Sequence, residues 1–183
     1  MKFRVHGLVP VAMAVLLAGG VHAQTATDDS AAPPSQEAME AAMTLPQAFA
    51  ERAASSNMFE IQSSELAVQM SQSDEVRTFA EKMIADHQAA GEKMLVAATA
   101  EGVSPPQALM PDHQAQLDSL AAMTGEEFDT AYLAAQAAAH NDAVTLFEGY
   151  STQGTEGDLK AFATETLPTL QSHLQEVQPL AAE

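Results

Sequence analysis

Four long stretches of this chain repeat apolar residues at the period of an α-helix, and nothing between them alternates as a strand would. That pattern confines the chain to an all-α architecture. Composition agrees: alanine, glutamine, glutamate and methionine are abundant, while valine, isoleucine, tyrosine and tryptophan are scarce. The first predicted helix runs from Thr44 to about Met70, with capping-box spacing in "TLPQ" and a proline in its first turn. The second begins after Ser73 in "SDEV" and ends near Glu101, before Gly102. The third opens at "TGEE", where Thr124 and Glu127 have capping-box spacing, and reaches about Tyr150. The fourth runs from about Thr155 to Leu180, with a kink or local break expected at Pro168.

The connection between the second and third helices is longer than a tight bundle turn requires. Its extended part spans roughly 30 Å, and a short helix that Asp112 can cap adds about 16 Å. Together they can cross a bundle lengthwise, so the expected fold is a four-helix bundle with a long crossover carrying a short helix.

Each long helix places one polar residue inside its apolar stripe. At 100° per residue, Val76, Ala80, Met83, Gly91, Met94 and Ala98 fall within about 40° of His87. Leu133, Val144 and Phe147 flank His140 in the same way, and Phe162, Val177 and Leu180 flank His173. The first helix has Glu60 in the equivalent place, whereas Glu65 points to solvent. All four residues lie near the middle of their helices, and the midpoints of a bundle share a layer. Three imidazoles and a carboxylate should therefore meet in one buried layer. Buried polar groups need partners, which leaves two readings. A transition-metal ion (Zn, Cu or Fe) could bind Glu60, His87, His140 and His173. Alternatively the four form a metal-free hydrogen-bonded network that specifies the core.

Other polar residues carry less. Asp86 points about 100° away from its neighbour His87, and so is not its direct partner. Asp129 lies on the inner face of the third helix, where it could cap or line an entrance, and His113 on the short helix is expected in solvent. Met70, Met83 and Met94 read as core filling. No cysteine exists to act as a nucleophile or a staple, and no serine stands out as a nucleophile, so an enzyme is the weakest expectation.

The chain begins with "MKFRVHGLVPVAMAVLLAGGVHA", which has the basic start, short apolar run and small-residue ending of a signal peptide cleaved near Ala23. Residues 24–43 read as a flexible leader and 44–183 as the bundle domain. The expected location is the periplasm or the exterior, with no membrane span in the mature chain. Loss of Lys2 and Arg4 with the signal peptide takes the formal net charge from −18 to −20. Such a surface repels nucleic acid and attracts cations.

The strings "FA..MI.DH", "G..FD..Y" and "LP.L..HL", spread over roughly residues 45 to 180, resemble a bacterial family of unknown function often labelled "predicted outer membrane protein". The resemblance implies a ferritin-like four-helix bundle in the periplasm, with Glu60, His87, His140 and His173 at signature positions. It implies no activity. Ferritin-like di-iron proteins use Glu-x-x-His pairs, yet Ile84, Ala137 and Leu170 stand three residues before the histidines. Any metal site is thus expected to be mononuclear.

Overall fold

The computed structural model describes residues 34–182, and all regular structure within them is helical. The signal peptide and the first half of the leader expected from the sequence lie outside these residues. Four long helices, α2 (Pro46–Met70), α3 (Asp74–Ala100), α5 (Gly125–Gln153) and α6 (Asp158–Leu180), make the bundle. Short turns join α2 to α3 and α5 to α6, so each pair is antiparallel. Phe49 stacks on Tyr150 while Ser64 meets Tyr132, so α2 and α5 are antiparallel as well. Hence α3 and α5 run the same way, and the chain between them must return along the bundle. It does so through α4 (Pro111–Ala121), as the long connection requires.

Each helix start reflects local chemistry. The Ser73 side chain accepts from Val76 N, and Asp74 and Glu75 add negative charge to the first turn of α3. At α2, Pro46 takes the first turn, where its missing N–H costs nothing, but Leu45 is the N-cap. Thr44 does not cap it; its hydroxyl donates to Glu40 O, closing the helix before. Thr124 makes no capping bond either, and Gly125 after it has φ 62°. Pro168 does not interrupt α6, which is helical from end to end. Asp112 does not cap α4, whose N-cap is Met110 with Pro111 next.

The leader departs furthest from expectation. Residues Gln36–Thr44 form a further helix, α1, capped by Ser35, which accepts from Ala38 N. Met39, Ala42 and Met43, at helical spacing, settle against the apolar core of α2 and α5. Gly149 permits this contact, since a Cβ there would come within 2.6 Å of the Met43 side chain. Nine residues are too few to hold a helix in water alone, so α1 owes its form to docking.

The core is divided in two. One apolar half gathers Phe49, Phe147, Tyr150 and Phe162, with Phe49 and Tyr150 rings stacked at 4.0 Å. The other gathers Phe59, Phe79, Met83, Phe128, Tyr132 and Val177. Each large buried side chain contributes about 1.5–3 kcal/mol, so the two halves supply the stability that disulfides cannot. Between them, at mid-height, lies a polar layer.

Candidate metal centre

Glu60 from α2, His87 from α3, His140 from α5 and His173 from α6 all reach that layer, and none is more than 4% exposed. Each side chain is carried there by the apolar stripe of its helix.

The three histidines converge. His87 Nε2 lies 3.4 Å from His140 Nε2, and His140 Nε2 lies 3.3 Å from His173 Nδ1. The three nitrogens all fall within 4.8 Å of one another. Nitrogens bound to one tetrahedral Zn²⁺ at about 2.0–2.1 Å are about 3.3–3.4 Å apart. Two of the three spacings are therefore those of a ligand set.

The opposite nitrogens decide which of these atoms carry protons. His87 Nδ1 faces Asn57 Oδ1 at 3.1 Å. His140 Nδ1 faces Gln136 O at 2.9 Å. His173 Nε2 faces Asp86 Oδ2 at 2.9 Å. Assigning each ring proton to the nitrogen that meets an oxygen acceptor leaves all three inner nitrogens as bare lone pairs. A carboxylate, an amide and a backbone carbonyl thus orient the rings from outside, as they do around bound metals. Gly91 helps to hold Asn57 in place, since a Cβ there would lie 3.0 Å from its amide nitrogen.

Glu60 sits to one side of the three. Its Oε1 accepts from Ser56 Oγ at 3.0 Å. Its Oε2 is 3.2 Å from both His87 Nε2 and His140 Nδ1, yet accepts a hydrogen bond from neither. The tautomers explain this: His140 Nδ1–H is committed to Gln136 O, and His87 Nε2 has no proton to give. A buried carboxylate oxygen without a donor is costly unless a positive charge stands near.

The titration behaviour agrees with neutral ligands. Burial pushes His87 below its ordinary value against the pull of Glu60. It likewise takes His173 down to about 4, outweighing the hydrogen bond to Asp86. Burial works to raise Glu60, but His87, His140 and Ser56 together hold it below the usual carboxylate range.

Several expectations need correction. Asp86 is indeed no partner of His87, but it reaches His173 on the facing helix, which the sequence of α3 alone could not reveal. Gln136 was legible in principle, standing one turn before His140 in the same stripe. Asp129 lines a pocket at the far end of the bundle with Ser73, Glu75 and Glu126, away from the layer. His113 is buried, not solvated. Its Nδ1 meets Ser55 Oγ at 2.6 Å and its ring stacks on Phe59. Beside it Arg52 and Asp112 form an ion pair at 2.5 Å.

Residues 31–180 match the family described as "Domain of unknown function (DUF4142)", so the chain belongs to that family. No curated protein matches it. Among solved structures it is similar to a DUF305 fragment from Deinococcus radiodurans, at 14% identity and TM-score 0.63, over 82% of this chain and 99% of that one. A DUF305 protein from Streptomyces coelicolor described as secreted shows 15% identity and TM-score 0.62, over 81% of this chain and 93% of that one. CopM in its Cu(II)-bound form shows 17% identity and TM-score 0.62, over 75% of this chain and 96% of that one. At these identities the likeness is one of fold.

Proposed function

We propose that this member of the DUF4142 family binds one transition-metal ion between His87, His140 and His173. Glu60 supplies the nearby negative charge and a fourth donor once its carboxylate turns toward the ion. The observation that carries this reading is the convergence of His87 Nε2, His140 Nε2 and His173 Nδ1, while the other nitrogen of each ring faces an oxygen acceptor. A metal-free network would put a proton between at least one pair of them. Imidazole donors suit Cu²⁺, Zn²⁺ or Fe²⁺. The Cu(II)-bound form of a protein with this fold supports copper first.

Glu60 is the one carboxylate buried in the layer, and the bridging carboxylates of di-iron sites are replaced by Ile84, Ala137 and Leu170. The bundle is thus ferritin-like in outline but mononuclear, suited to holding or sensing an ion. Its place of work is the periplasm or the exterior. The signal-peptide pattern supports this, as does the absence of any described helix long and apolar enough to cross a membrane.

The test is metal analysis of protein purified without a histidine tag, followed by calorimetric titration of the stripped protein with Cu²⁺, Zn²⁺ and Fe²⁺. One ion per chain is expected. Absence of binding by all three would overturn the reading and leave the layer as a structural polar network.

A further inference from the structure

The histidine layer is buried, so an ion needs a way in. A cavity of about 20 Å³, room for about one water, lies directly against it. Glu60, His87, Met94, Phe147, Phe162 and Leu170 are among the residues that line it. The unpartnered Oε2 of Glu60, on a side chain only 1% exposed, belongs to its lining residue. On the outside, between α3 and α6, lies a second pocket of about 190 Å³ that contains Asp86, Lys93 and Glu165. The two cavities share Ala90 and Thr166 in their walls. Ala90 and Thr166, both half-buried, therefore stand where the two cavities meet.

We propose that the seam between α3 and α6 is the route by which the ion reaches the histidines, with Ala90 and Thr166 as its gate. This rests on the metal-binding reading above. The outer pocket offers two carboxylates against one ammonium group, which suits a hydrated cation. Asp86 joins outside to inside, because its half-exposed carboxylate lines the outer pocket and accepts from His173 Nε2. Outward displacement of two short side chains connects the cavities without unpacking either apolar half of the core. The occupant is a small divalent cation that can shed its water; a chelated metal complex is too large for the inner cavity.

The experiment is stopped-flow uptake of Cu²⁺ or Zn²⁺ by the metal-free protein, with release measured into excess chelator. Ala90→Leu is expected to slow uptake and release by about tenfold or more, with equal affinity and stoichiometry, as a narrowed gate requires. Thr166→Met serves the same purpose where Ala90→Leu fails to fold, as judged by circular dichroism. Glu165→Lys should slow uptake at low salt and lose that effect at high salt. Unchanged rates in a folded, metal-competent Ala90→Leu or Thr166→Met protein would overturn the route and leave the metal site intact. Failure of the unaltered protein to bind any metal would overturn both.

Discussion

Two buried polar clusters occupy this bundle, and they satisfy their atoms in opposite ways. Between α2 and α4, the Ser55 hydroxyl accepts from Met110 N and donates to His113 Nδ1, while Arg52 pairs with Asp112. Each of those contacts joins groups within the cluster. In the central layer, with each ring proton assigned to its oxygen acceptor, the protons point outward to Asn57, Gln136 and Asp86 and the lone pairs point inward at one another. The first cluster closes on itself and fastens the crossover helix to the bundle. The second leaves Glu60 Oε2 without a donor. A buried histidine is thus not a signal by itself; the direction of its partners separates a fastener from a ligand.

The largest effect that would test this contrast is on binding. His140→Ala should weaken metal affinity by about 10³-fold, a fair share of the 10–16 kcal/mol that a full ligand set supplies. His113→Ala should leave affinity unchanged. Equal losses in the two variants, measured by calorimetric titration, would erase the distinction.

Next in size is a stability effect confined to the fastener. Arg52→Met leaves Asp112 buried without its partner, and should cost about 3 kcal/mol in urea unfolding. Bound metal per chain should stay at its normal value. Loss of metal together with stability would show that the two clusters are coupled.

The smallest effect concerns pH and the metal-free protein. His87 and His173 titrate below their unfolded values, His173 near 4. Their neutral burial is without penalty above the unfolded value near 6.5. As pH falls from there toward 4, the unfolded chain takes up protons that the folded one refuses, so stability declines. For His173 the loss should be about 2 kcal/mol once screening near exposed Asp86 is allowed for. His173→Leu should flatten the unfolding profile between pH 6.5 and 4. A profile as steep as before would place the pH sensitivity elsewhere, His113 included.

The layer itself was legible in the sequence because of geometry alone. A helix carries its residues at 100° steps, so a polar residue centred in an apolar stripe must enter the core. Midpoints of aligned helices meet at one height, which brought Glu60, His87, His140 and His173 together before any coordinates. The docking of α1 was partly legible, since Met39, Ala42 and Met43 have helical spacing, but a short isolated helix has no reason to form until a surface receives it.

Tertiary structure alone decided the rest. It placed Asp86 beneath His173, His113 against Ser55 and Phe59, and Glu60 beside the histidines rather than among them. These are contacts between different helices, set by how far each is rotated and slid against its neighbour. The period of one helix says which side chains face inward. Which atom of a ring meets which oxygen is settled only when all the helices pack together.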